Sequence, residues 1–341
     1  MSQIVLDAMN NAAAWIALAA DGVTPSGEIA LADDPLRFRY GNDATSGRLT
    51  ATTTALNHLL QRSLPALDLT DSDELRLAIN ADRAAGESGN RPFFLELRLA
   101  SAAMPFNAPA NTWHRFLPVG RTGEWELVRL GLAGLDPAVR AAVSAVQLRC
   151  VDASRAFTCN VDDMMAVKNE LFADVEAALR RRLHEQVVVN GSPVPAVVHA
   201  PDAPVPARPY VRILLRDVRF ADPRTPSTST RCDFSTDGYR LRPAGVGYDL
   251  YYQVDVWADD RPAQTRLLEF TLAELGPHGE LLVNGAPLAI TMVDVGPLDL
   301  IGGARTDRVG FHYRIAARLE SAAASPVKPV TALEVVSDAR G

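Results

Sequence analysis

The chain predicts two fold classes in series. Residues 1–167 read as an all-β sandwich, and residues 168–320 as an α+β domain, an antiparallel sheet with helices on one face. Three observations carry this. Short apolar runs recur through the first half at roughly the 8–12-residue interval of a sandwich. Within them, Glu74-Leu75-Arg76-Leu77-Ala78-Ile79 and Phe94-Leu95-Glu96-Leu97-Arg98-Leu99 alternate apolar and polar residues, the period of strands buried on one face. After Lys168 the period changes: Leu171, Val175, Leu179 and Leu183 fall four apart and paint one helical face.

In order, strands are expected at Ala14–Ala20, Leu36–Tyr40, Arg48–Thr54, Leu56–Leu64, Glu74–Asn80, Pro92–Ser101, Trp113–Val119, Glu124–Leu132, Ala145–Asp152 and Ala156–Asp162. One helical turn interrupts them, with Asp136 as N-cap and Pro137 at the first helical position. A hairpin turning at Ser154 and Arg155 would set Cys150 opposite Cys159; otherwise both are buried thiols acting as small apolar residues. Asp162-Asp163 is expected to end a strand or cap the coming helix.

The helix expected over 169–185 carries Glu170, Asp174 and Glu176 early and Arg180, Arg181 and Arg182 late, as the helix dipole favours. Val187-Val188-Val189 and Asn190-Gly191 suggest a strand and tight turn. Pro193, Pro195, Pro201, Pro204, Pro206 and Pro209 then mark an extended connection. Three long strands follow. The first is Val211–Phe220. The second, Val246–Ala258, sets Asp249, Tyr251, Gln253, Asp255 and Trp257 on one face and apolar residues on the other. The third directs Val309, Phe311, Tyr313, Ile315 and Leu319 inward and Arg308, His312, Arg314 and Arg318 outward. Between the last two lie a helix, stopped by Gly276-Pro277, and a hairpin turning at Asn284-Gly285. Ala221–Gly245 reads as a 25-residue loop, a length more often functional or ordered by a partner than idle. The tail, 321–341, either hangs free or docks on a neighbour.

The formal charge is −7, from 34 basic and 41 acidic residues, which argues against a broad phosphate-binding surface and nucleic-acid specificity. No apolar run reaches the roughly 18 residues of a membrane span, and no secretory signal opens the chain, so cytoplasmic synthesis is expected. Enzyme signatures are absent. There is no GxSxG, P-loop or GxGxxG, and the six histidines lack metal-site spacing, so no catalysis, cofactor or metal is expected.

Trp15, Tyr40, Trp113, His114 and Trp125 are candidates for stacking on sugar rings, Trp113 and Trp125 foremost; burial in a sandwich core is the alternative. On Asp73–Leu77, Pro92–Arg98 and Gly123–Val128, followed by the Ala145–Asp152 strand, the first half resembles a galactose-binding-like jelly roll of the carbohydrate-module type. The second half carries a sharper likeness, on Arg208–Leu215 and Leu241–Ala258, then Asp260-Arg261 and the Leu267-Leu268 helix. Over about 169–319 it resembles the tail terminators of long-tailed phages and the cap proteins of contractile injection systems. That resemblance implies a ring, hexameric in the family, seated on the last ring of a tail tube and, in contractile machines, meeting the sheath protein. It implies assembly into a virion tail or injection particle.

A ring fits the charges. Asp249 and Asp255 on one strand and Arg308, Arg314 and Arg318 on another are cross-strand pairs, contacts between subunits, or a solvated face. Tyr251 and Trp257 favour an interface, where aromatics are enriched. The alternative function is a carbohydrate-binding module fused to an oligomerising domain on a surface or secreted particle. A glycoside hydrolase lacks its carboxylate pair.

Overall fold

The computed structural model of the chain describes residues 3–39, 45–86, 91–200, 204, 206–221, 229–293, 308–320 and 325–327, with backbone alone at Arg308 and Val309. The first 167 residues form two antiparallel sheets. Their strands are β1 (Gln3–Asp7), β2 (Trp15–Leu18), β3 (Ile29–Asp34), β4 (Ser46–Ala51), β5 (Leu59–Leu67), β6 (Glu74–Ala81), β7 (Leu95–Ser101), β8 (His114–Phe116), β9 (Glu126–Gly131), β10 (Val143–Cys150) and β11 (Phe157–Val167). One sheet runs β3-β4-β11-β6-β9, with β1 also on β11; the other runs β2-β5-β10-β7-β8. Strands 4 and 11, 5 and 10, 6 and 9, and 7 and 8 are neighbours, the nested pairing of a jelly roll. Alternate residues of both sheets, Leu49, Leu77 and Val161 from one and Leu97, Leu148 and Cys150 from the other, fill the space between.

Several expectations change here. Leu36–Tyr40 is no strand where described; Ile29–Asp34 takes that place, and Tyr40 lies outside the described residues. Cys150 and Cys159 sit on strands of opposite sheets, so no hairpin joins them; both are free, buried thiols. The helical turn is present as α1 (Pro137–Arg140), with the Asp136 carboxylate accepting from the Ala138 N–H at 2.8 Å.

Asp162-Asp163 neither ends a strand nor caps a helix. β11 continues to Val167 through an irregularity at which Asp163 adopts φ 49°. Asp162 is 2% exposed, and its Oδ2 accepts the Arg39 N–H at 3.0 Å. Burial first, and then the Asp163 charge, push its carboxyl up to about 6. A raised value means that the ionised form is penalised, so stability is intact below pH 3.8, where the carboxyl is protonated, and is lost as pH rises through about 6. Asp162→Asn is therefore expected to raise Tm at pH 7.5, by up to about 3 kcal/mol of stability, and to change little at pH 3.5. Thermal melts at the two pH values check it.

The second half contains α2 (Leu171–Leu183), a two-strand turn of β12 (Val188–Val189) and β13 (Ser192–Pro193), β14 (Ala196–Val198), β15 (Tyr210–Phe220), β16 (Thr230–Ser235), β17 (Gly238–Arg242), β18 (Val246–Trp257), α3 (Arg261–Leu275), β19 (His278–Val283), β20 (Ala286–Val293), β21 (Arg308–Leu319) and β22 (Ser325–Val327). A six-stranded sheet runs β14-β15-β18-β21-β20-β19, antiparallel except for the edge pair β14/β15. Val175, Leu179 and Leu183 of α2 and Leu267 and Leu275 of α3 pack on one face of it, over Ile213, Tyr252, Val254, Tyr313 and Ile315. Asp260 caps α3 by accepting the Ala263 N–H at 2.7 Å, and Gly276, at φ 64°, ends it. Asn284 and Gly285, both at positive φ, make the β19–β20 turn.

Three segments differ from expectation. The proline-rich link contributes β14 as a parallel edge strand, where proline is tolerated. Much of the long loop is a hairpin, β16–β17; its residues 222–228 lie outside the described part. Of the tail, Ser325–Val327 pairs with β17 of the same chain, completing a sheet β16-β17-β22. Leu319, expected inward, is 40% exposed at the last position of β21.

Candidate subunit interface

Because α2 and α3 cover one side of the six-stranded sheet, its other side carries the polar residues of β15, β18 and β21. The register sets Tyr251 opposite Arg314, Asp249 opposite Ala316, Asp255 opposite Gly310 and Trp257 opposite Arg308. The acidic and basic strands are thus neighbours on one face, and two of their charges pair within the subunit. Arg314 Nε lies 4.0 Å from Asp249 Oδ1. Asp255, fully buried, accepts from Arg212 Nη2 at 2.5 Å and Nε at 3.2 Å, and from Gln253 Nε2 at 2.6 Å.

Aromatic rings order the rest of the face. Trp257, 7% exposed, stacks on Tyr210 with centroids 5.8 Å apart and planes 8° off parallel. The guanidinium groups of Arg208 and Arg212 stand 5.2 and 5.4 Å from its ring. Arg219 sits 4.7 Å over Tyr251 while donating to Asp217 at 2.7 Å. Arg314 and Arg318 are exposed, and Asp249 and Tyr251 half-buried. Of the seven interface candidates, Asp255 and Trp257 are therefore engaged inside the subunit, and the side chain of Arg308 lies outside the described part. Asp249, Tyr251, Arg314 and Arg318 remain on the accessible surface. Sequence reasoning did not single out Arg212 and Arg219, which organise this face.

The stacking candidates separate in the same way. Trp113 is 5% exposed in the sandwich core, with the Arg115 guanidinium 4.9 Å from its ring, and Trp15 is buried and donates to Asp7 at 2.8 Å. Neither offers a ring face to a sugar. Trp125 is half-buried and lines a groove of about 580 Å³ between β9 and the β16–β17 hairpin.

The two halves are locked together by charge. Glu74, 1% exposed on the outer face of β6, accepts from Arg76 at 2.8 Å, from Arg129 at 2.9 Å and, across the junction, from Arg242 at 3.0 Å. Burial alone would raise its carboxyl; the charges of Arg129, Arg76 and Arg242 outweigh that and hold it below the usual glutamate range. Arg76 also donates to the Asn284 carbonyl at 2.9 Å and to Asn169 Oδ1 at 2.6 Å, and Arg129 reaches Glu320 at 3.1 Å. The Gly131 N–H donates to Asp233 at 2.5 Å, the Thr236 N–H lies 3.0 Å from His114 Nε2, and Phe93 packs on Phe234 at 5.1 Å. The hairpin within the long loop is thus ordered by the jelly roll.

No family model and no curated protein matches the chain. Among solved structures it is similar to a family 11 carbohydrate-binding module from Clostridium thermocellum in complex with a β-1,3-1,4-mixed-linked tetrasaccharide, at 11% identity over 49% of this chain and 96% of that one, TM-score 0.33. It is also similar to the sheath/tube terminator of the extracellular contractile injection system PVC in its extended state, at 17% identity over 51% of this chain and 67% of that one, TM-score 0.36. A family 30 carbohydrate-binding module is similar at 15% identity over 45% of this chain and 81% of that one, TM-score 0.31. At such identities and TM-scores these likenesses decide no function.

Proposed function

We propose that the chain is a structural, non-catalytic subunit that closes into a ring, a hexamer by family resemblance, and caps the end of a phage-like tail tube. Its partners in this reading are copies of itself, the tube protein and, in a contractile particle, the sheath protein. It is made in the cytoplasm and built into a virion tail or injection particle. The observation that carries the reading is the helix-free sheet face: a broad, ordered surface on which Arg314 and Arg318 stay exposed beside half-buried Asp249 and Tyr251. A subunit closing a ring needs one rigid face to meet a different face of the next copy. The jelly roll, fixed through Glu74, then travels with the ring as a decoration of set direction.

Arg314→Glu combined with Arg318→Glu tests this. Exposed guanidinium groups contribute little to folding, so Tm should move by less than about 1 kcal/mol equivalent. At a subunit contact, the like-charge juxtaposition costs several kcal/mol, so the ring should be lost in light scattering. Unchanged assembly would exclude this face as the ring contact.

A second reading, a saccharide-binding jelly roll, is favoured by one observation. Gln61, Gln147 and Arg98 stand in register across the outer face of the β2-β5-β10-β7-β8 sheet, and Gln147 Oε1 is buried without a partner there. Such a row suits hydroxyl-rich ligands. In this reading Trp113 contributes only to the core.

A further inference from the structure

The groove beside Trp125 is bounded by two strand edges. β9 is the outer strand of its jelly-roll sheet, and β16 is the outer strand of the sheet β16-β17-β22. The edges are pinned at one end, where Gly131 donates its N–H to the carboxylate of Asp233, a residue at φ 53° in an irregular stretch of β16. Gly131 approaches so closely that a Cβ placed there would lie 2.5 Å from that carboxylate. The same two strands line the space of about 580 Å³, and among the described residues no backbone hydrogen bond crosses it.

The direction of the β9 peptide groups follows from that pin. Gly131 points its N–H away from β6, and Leu132, the next residue, donates to Asp73. Strand groups alternate from side to side, so the N–H and C=O of Arg129 and Leu127 also face the groove. An unpaired edge of this kind is a template for another strand. The charge of the lining is lopsided in availability. Each of its carboxylates is engaged within the chain: Glu124 by Arg121, Glu126 by the Gly120 N–H, Glu320 by Arg129 and Asp233 by the Gly131 N–H. Arg231, exposed and lying over Tyr239, presents its charge at the mouth.

We propose that this groove receives an extended, acidic peptide strand from a partner protein, which adds to the edge of β9 and bridges toward β16. A strand supplies alternating donors and acceptors at the spacing the edge presents, and carboxylates on its exposed side meet Arg231. Trp125 packs on its side chains. The site lies at the junction of the two halves and shares Arg318 with the ring face.

The probe is the capped peptide Thr-Val-Glu-Val-Glu-Val-Thr, with an analogue in which lysine replaces both glutamates and another N-methylated at alternate residues. Hydrogen exchange of the full chain reads the Leu127 and Arg129 amides directly. Saturating acidic peptide is expected to slow them at least tenfold and to shift Trp125 emission, a shift absent in Trp125→Phe. The lysine and N-methylated peptides should do neither. No protection at saturation, equal protection by the lysine analogue, or protection by a mixed-linked glucan tetrasaccharide in place of the peptide would each overturn the proposal.

Discussion

Replacing Glu74 by alanine is expected to cost about 3–5 kcal/mol, because it strands Arg76, Arg129 and Arg242 around a buried space with no carboxylate. The loss concerns more than one ion pair. Glu74 belongs to β6 of the jelly roll and Arg242 to β17 of the second half, so the same substitution releases the two halves from each other. Calorimetry is expected to show one transition in the parent and two in the variant. Acid should mimic the mutation in part. A carboxyl held below its ordinary value of 4.5 contributes its full stability above that pH and loses it as pH falls further, so the split should also emerge in the parent at low pH. One cooperative transition in Glu74→Ala, with Tm unchanged, would contradict a charge-locked junction.

Asp255→Ala should be nearly as severe, again about 3–5 kcal/mol, and for a related reason: the substitution leaves Arg212 facing Trp257 and Gln253 without its fully buried partner. Urea denaturation measures it. The contrast with Arg314 and Arg318 is informative, since all three were candidates for one interface. Asp255 acts on folding, whereas the exposed arginines are expected to act on assembly at constant stability. If Asp255→Ala left the denaturation midpoint unmoved and abolished assembly, that division of the face would be wrong.

The alternation of Glu74–Ile79 and Phe94–Leu99 was legible as strands because a period of two matches the pleat of a sheet and no helix, and the fourfold spacing from Leu171 to Leu183 marked α2 equally well. The polar partners of those patterns were misleading. Glu74 and Arg76 occupy the positions that a lone sandwich would expose, yet they are 1% and 7% exposed because the second half covers them. No local pattern distinguishes a polar face awaiting solvent from one awaiting another domain. The same reason hid the hairpin in Ala221–Gly245. Its residues form a sheet that packs on β8 and β9, and a composition rich in proline, serine and threonine says nothing of a partner so distant in sequence. Trp113 and Trp125 show the limit for candidate sites. Both are tryptophans near strands, and only the three-dimensional register separates the core side chain from the groove-lining one. Of the interface residues, the face that they share was readable from alternation in β18 and β21; that Asp255 already had Arg212 required β15 beside β18.

Native mass spectrometry of the purified chain addresses the ring most directly. A closed assembly of six 36.8 kDa copies is expected, visible as sixfold rings in electron micrographs and lost in the Arg314→Glu/Arg318→Glu variant. A chain that stays a 36.8 kDa monomer at every concentration, and on a preformed tail tube as well, would contradict it.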